Sequence, residues 1–174
     1  RRIGLVFPEG GRLFPRLTIT ENVALPLAYA AWLEPEVATR RVELLLEAMG
    51  LARFGPLLPA RLNANWRQRV ALARALALAP EVLLLDDPIA GSDPRQARWW
   101  LDLLGRQAAS RTALGLPFLT LVVATEDLRP WLDVAQRVAL LKDRRCFLLG
   151  SPAEANASGN PLLRELLAEA AASG

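Results

Sequence analysis

A chain of 174 residues, 52% of them hydrophobic, is long enough to bury the core of one domain and too apolar to stay disordered. The formal net charge is only +3, and the arginines are spread through helices rather than blocked into a tail, which argues against nucleic acid as a partner. Histidine is absent, which removes the commonest general base and metal ligand, and a single cysteine, Cys146, excludes an internal disulfide framework.

Ile3 to Phe7 reads as a short buried strand stopped by Pro8, and Glu9 to Arg12 as a loop. Thr20 can cap a helix carrying Glu21 to Trp32, with Pro26 as a kink inside it. Pro35 opens a second helix at its first position and Gly50 ends it. The apolar residues Val42, Leu45, Leu46 and Met49 share one face of that helix. Beginning at Arg1 in what reads as a strand, the chain is expected to be the ordered part of a longer protein. No apolar run reaches the ~18 residues of a membrane span.

Asn63 is placed to cap a helix carrying Arg67 to Leu78, which Pro80 closes. Val82 to Leu85 is a continuous apolar run, as expected of a parallel strand covered on both faces. It ends in two adjacent carboxylates, Asp86 and Asp87, and a tight turn follows through Gly91, Asp93 and Pro94. Arg95 to Gln107 is helical, Phe118 to Ala124 another buried strand. Val138 to Leu141 and Cys146 to Leu149 pair around Lys142-Asp143-Arg144, with Cys146 expected to be a small buried hydrophobe. Ser151-Pro152 and Asn160-Pro161 open two last helices. Strands alternating with helices make the class α/β with a largely parallel sheet.

The order of capped Arg-rich helix, apolar strand with two carboxylates, and Asp-Pro turn resembles the signature helix, Walker B strand and D-loop of ABC transporter ATP-binding domains. Within them the chain looks most like the ATPase subunits of Mla/MCE-type lipid transporters. The stretches that suggest this are Leu13 to Thr18 running to Glu21 to Leu27, Ala113-Leu114-Gly115 before a strand, and Pro161 to Leu167. The resemblance implies a P-loop NTPase-like α/β domain with a mostly parallel sheet. It implies one domain over 1–174, truncated at its N-terminus, with a helical subdomain at about 20–78.

The same resemblance assigns positions one by one. The Walker A loop, a Gly-rich turn ending in Lys-Ser/Thr that cradles phosphate, has no counterpart; in the family it lies upstream of a strand like Ile3 to Phe7. Pro8 stands where the family has the Q-loop Gln, and Pro offers no amide side chain and no N–H. Asn63, Ala64, Asn65 and Trp66 stand at the signature, where small residues let the backbone of a helix start approach the γ-phosphate of ATP held by another subunit. Asp86 matches the carboxylate that holds Mg²⁺, and Asp87 the catalytic Glu, one methylene shorter. A carboxylate displaced by about 1 Å can cost roughly a hundredfold in rate. Asp93 matches the D-loop aspartate. Glu126 stands at the H-loop His, where a carboxylate repels phosphate instead of donating to it.

ATP and Mg²⁺ are thus the cofactors implied by resemblance. The implied partners are a second ATP-binding subunit, in a homo- or heterodimer, and a membrane permease, with the chain peripheral at the cytoplasmic face of the inner membrane. The loop from Glu9 to Arg16 and the helix from Glu21 are the expected permease contact, through Leu13, Phe14 and Leu17. Three readings stand open: a transporter subunit with a degenerate site whose hydrolysis is lost or impaired, an active ATPase whose Walker A lies upstream, and a non-transport interaction module on the same fold.

Overall fold

A computed structural model describes residues 3–29, 34–110, 116, 119–161 and 163–164. Three parallel strands lie side by side in the order β1 (Ile3–Val6), β2 (Val82–Asp86) and β3 (Thr120–Ala124), with Gly4 opposite Leu83 and Asp86 opposite Ala124. Helices α1 (Ile19–Ala28), α2 (Pro35–Ala48) and α3 (Ala64–Leu76) connect β1 to β2, and α4 (Pro94–Ser110) connects β2 to β3. These are the long helical crossovers that parallel pairing requires. An antiparallel hairpin, β4 (Val138–Lys142) and β5 (Arg145–Gly150), and a short helix α5 (Pro152–Ala157) follow. The hairpin turns on Asp143 and Arg144, both at positive φ, as a tight two-residue turn demands.

The helix starts explain themselves locally. α1 is capped by Thr18, not Thr20: Thr18 Oγ1 accepts from the Glu21 N–H at 3.2 Å while Glu21 Oε2 accepts from the Thr18 N–H at 2.7 Å. This reciprocal box places the helix start two residues earlier than expected, because Glu lies three residues after Thr18. The helix ends at Ala28, two residues past Pro26, short of the expected Trp32, which lies outside the described residues. Pro35 does open α2, whose Val42, Leu45 and Leu46 are buried with Met49 just beyond. Asn63 caps α3, its Oδ1 accepting from the Trp66 N–H at 3.1 Å.

α3 is the hub. It packs against α1, α2 and β1, and Val70, Leu72, Ala73 and Leu76 are fully buried. Gly4 of β1 lies so close to it that a Cβ there would meet the Ala75 carbonyl oxygen at 2.9 Å. The sheet presents Val6, Leu83 and Leu85 to this layer. Its other face stands open among the described residues, with Ile3 64%, Leu5 45% and Val122 48% exposed. On β2, which is expected to be covered on both faces, Leu83 and Leu85 are buried while Val82 and Leu84 on the opposite face are half-buried among the described residues. Cys146 also departs from expectation: α5 and Leu163 cover one side of the hairpin, burying Val138 and Ala155, while Arg145 to Leu148 of β5 are exposed, the Cys146 thiol among them. The strand expected from Phe118 begins at Thr120; Phe118, Ala113 to Gly115 and most of the last helix lie outside the described residues.

Candidate functional site

The carboxyl ends of adjacent parallel strands are where open α/β sheets bind ligands, and here they are acidic. Asp86, exposed, ends β2. Asp87 follows at φ 42, its N–H donating to the Ala124 carbonyl at 2.9 Å, so that the β2 and β3 ends turn together. Aspartate tolerates the left-handed region better than most residues. The Thr125 hydroxyl donates to Asp87 Oδ1 at 3.2 Å and accepts from the Asp127 N–H at 3.2 Å. Asp127 in turn grips Arg129 through Nε and Nη2, each at 2.9 Å.

Burial pushes the Asp87 carboxyl above its ordinary value, and the negative charges of Glu126, Asp86 and Asp127 push it further, against the opposing Thr125 hydrogen bond. Asp127 is held below the usual range by Arg129. The end of β2 and β3 thus gathers four carboxylates, one of them neutralised by an arginine. Among the described residues no three His, Cys, Asp or Glu side chains are grouped to hold a metal ion by themselves. Asp86 fits the single exposed carboxylate through which Mg²⁺ is commonly bound together with substrate phosphates.

A second group forms at two helix starts. Asn65, one residue inside α3, donates through Nδ2 to Asp93 Oδ2 at 3.2 Å. Asp93 Oδ1 accepts from the N–H groups of Arg95 and Gln96, each at 2.9 Å, and so caps α4. Trp66 does not stand free at the helix start. Its ring packs on Phe54 with centroids 4.7 Å apart, and the Arg69 guanidinium lies 4.6 Å from its centroid. Ala64 is exposed.

Pro8 opens a 3₁₀ turn, Pro8–Gly10, that is pinned against α3. Gly10, at φ 81, approaches so closely that a Cβ would meet the Gln68 Cα at 2.8 Å. The loop beyond it is held by a residue that sequence reasoning passed over. Asn22 is fully buried; its Oδ1 accepts from the Phe14 N–H at 2.8 Å, and its Nδ2 donates to the carbonyls of Phe14, Leu17 and Thr18 at 2.9 to 3.1 Å. The signal was available: an amide three residues from Ile19, on the stripe of Ile19, Val23 and Leu27. Phe14 is exposed, while Leu13 and Leu17 are half-buried. Arg69, buried beside Trp66, was missed as well.

The surface clefts lie elsewhere. One of about 340 Å³ sits on α2 beside Val37, Arg40 and Leu44, and one of about 240 Å³ lies between Leu5, Pro26 and Leu78. None of the sequence-predicted site residues lines either.

The sequence model described as ABC transporter matches residues 1–90. The chain belongs to the ABC transporter family. Among curated relatives of this family, it is 39% identical over 157 residues to a probable sulfate/thiosulfate import ATP-binding protein CysA of Chlorella vulgaris, covering 88% of this chain and 62% of the relative. It is 31% identical over 167 residues to the intermembrane phospholipid transport system ATP-binding protein MlaF of Escherichia coli K12, covering 96% of this chain and 60% of MlaF. Among solved structures it resembles the dimeric ATP-binding cassette MJ0796, in a post-hydrolysis state bound to ADP and Pi, with TM-score 0.68 and 32% identity over 83% of this chain and 62% of that one. It resembles cbiO1 of Clostridium perfringens, part of the ABC transporter complex cbiONQ, with TM-score 0.75 and 25% identity over 94% of this chain and 62% of that one. The ABC fold expected from the motifs is thus present, and the chain spans less than two thirds of the length of these relatives.

Proposed function

We propose that the chain is an ATP-binding-subunit-like component of an ABC transporter in which nucleotide chemistry is weakened. It works beside a second ATP-binding subunit and a membrane permease, peripheral at the cytoplasmic face of the inner membrane. The observation that carries this reading is the acidic strand end. Asp86, Asp87 and Glu126 put negative charge where a γ-phosphate would sit; burial raises the Asp87 carboxyl above its usual range, and the charges of Glu126, Asp86 and Asp127 raise it further. In this reading Asp86 is the Mg²⁺ position and Asp87 the shortened water-polarising position. Glu126 replaces a phosphate donor, and Pro8 replaces the Q-loop amide. The Asn63–Trp66 helix start keeps its cap while Asn65 and Trp66 add bulk. Asp93 keeps the D-loop position. One domain over 1–174 carries a helical part at about 20–78, and the Phe14-bearing loop that precedes it faces the permease.

Mg²⁺, when bound with nucleotide, would supply the positive charge this end lacks. The chain's own residues do the rest: Thr125 orients Asp87, Arg129 removes Asp127 from the repulsion, and Asp93 fixes the turn into α4.

Lipid is the proposed cargo class, supported by likeness to MlaF over 96% of the chain. The 39% identity to the CysA relative supports a sulfate/thiosulfate importer as a second cargo reading. The open apolar sheet face favours one further alternative, in which another polypeptide segment, bearing a Gly-rich phosphate loop, covers Ile3, Leu5 and Val122 and restores nucleotide binding.

Titration calorimetry of the 174-residue chain with Mg-ATP tests the weakened site. No saturable micromolar isotherm is expected, and one that appears overturns the reading. Co-purification from detergent-solubilised membranes then separates the cargo readings by the permease recovered. Recovery from soluble fractions alone, with no polytopic partner, sinks the transporter assignment.

A further inference from the structure

The two helix starts are joined in two tiers, twenty-eight residues apart in sequence. The outer tier is Asn65 Nδ2 to Asp93 Oδ2, with the same aspartate holding the first N–H groups of α4. The inner tier is Arg69. Its guanidinium lies between two indoles, 4.6 Å from the Trp66 centroid and 3.7 Å from that of Trp99. Its Nη2 donates to Gln96 Oε1 on α4 at 2.9 Å and its Nη1 to the Met49 carbonyl after α2 at 3.3 Å. Nε is buried without an acceptor, so the group is held by its flat faces as much as by its edge. Only a planar guanidinium stacks on both rings and donates to both acceptors at once; a lysine ammonium does not.

We infer that Asn65 and Arg69 are positioning residues that bind the start of α3 to the start of α4 as one unit. A displacement at Asn63–Trp66 is then transmitted to the turn Ala90–Pro94. The functional value rests on the transporter reading, in which both segments face the neighbouring subunit. The brace itself does not depend on it, since every contact lies within this chain.

Amide hydrogen exchange on the intact 174-residue chain tests the inference without nucleotide, so its failure is distinct from failure in the calorimetric test above. Asn65→Ala removes an exposed side-chain contact on α3 alone. The Arg95 and Gln96 amides on α4 should then exchange about three- to tenfold faster, while those of Val70 to Ala73 stay unchanged. Asn65→Gln, which retains a donor amide, should restore slow exchange. Arg69→Lys should speed the same α4 amides and shift the tryptophan emission through loss of the double stack. Unchanged rates at Arg95 and Gln96 in Asn65→Ala overturn the inference. So does a uniform rise across α3 and the sheet, which would mean that the residue serves only global stability. Failure of Asn65→Gln to restore protection, with the fold intact by circular dichroism, has the same consequence.

Discussion

The two faces of the three-stranded sheet are finished differently. Leu83 and Leu5 sit on adjacent strands, yet Leu83 is fully buried under α3 and Leu5 looks into solvent. On the helical side every feature closes: Gly4 and Gly10 let backbones touch, Asn22 ties down the loop, and Arg41 donates to the Leu76 carbonyl at the end of α3. On the open side Ile3, Leu5 and Val122 form an apolar surface with nothing over it among the described residues. Parallel sheets are ordinarily covered on both faces. The contrast teaches that, among the described residues, the helical layer closes one side of the sheet while the apolar residues of the other side stay exposed.

The largest expected effect tests that contrast directly. Leu83→Ala should cost about 2–5 kcal/mol in urea denaturation, the range for deleting a buried leucine side chain. Leu5→Ala should fall within about 0.5 kcal/mol, as for an exposed position. If Leu5→Ala costs as much as Leu83→Ala, the open face is covered in solution. If another segment covers this face, its addition should move Leu5, and not Leu83, toward the larger value.

The next effect lies within the closed side. Asn22→Ala strips the Phe14 N–H of its acceptor and three carbonyls of a shared donor. Loss of about 1–3 kcal/mol is expected, the cost of leaving a buried group unsatisfied. Asn22→Asp should be worse than Asn22→Ala. It keeps the acceptor but turns a carboxylate toward the carbonyls of Phe14, Leu17 and Thr18. If Asn22→Asp is tolerated and the Phe14 amide stays protected from exchange, the loop is held by something else.

These cases mark what could be read from the chain alone. The α/β alternation, the Asn63 cap, the Pro35 start and the buried face of α2 were legible because each depends on local spacing. The Thr18 cap is legible in principle, since Glu21 stands three residues on, whereas Thr20 has Val23 at that spacing. The apolar run from Cys146 to Leu149 does not by itself signal burial: α5 covers the Val138 end of the hairpin and leaves Cys146 exposed. The Arg69 brace was out of reach. It joins residues from Met49, Trp66, Gln96 and Trp99, and only the packing of three helices brings them together. The acidic positions were found by resemblance, but the raised Asp87 carboxyl depends on the β2–β3 register, which sequence spacing does not state.

The smallest expected effect is a pair of opposite pH responses. Backbone and side-chain hydrogen bonds from Thr18 hold the Glu21 carboxyl below its usual value. Its contribution to stability is present above the ordinary glutamate range and is lost as pH falls through the lowered folded value. Asp87 runs the other way. Burial first, then its acidic neighbours, raise its folded value, so the stability it contributes is full below the ordinary aspartate range and is lost as pH rises through the raised value. Charge on Asp87 is therefore disfavoured, first by burial and then by its acidic neighbours. Asp87→Asn keeps the shape and the left-handed backbone while removing the charge. Its melting temperature should exceed that of the wild type at pH 7, and the difference should vanish as the pH drops below the aspartate range. Glu21→Gln should melt lower than the wild type at pH 7, with that difference also closing in acid. If both variants shift in the same direction at pH 7, the strand ends are not the repulsive site described here. Mg²⁺ gives a further check: if it binds at Asp86, it should raise the wild-type melting temperature more than that of Asp87→Asn, because the wild type has one more negative charge for the cation to offset.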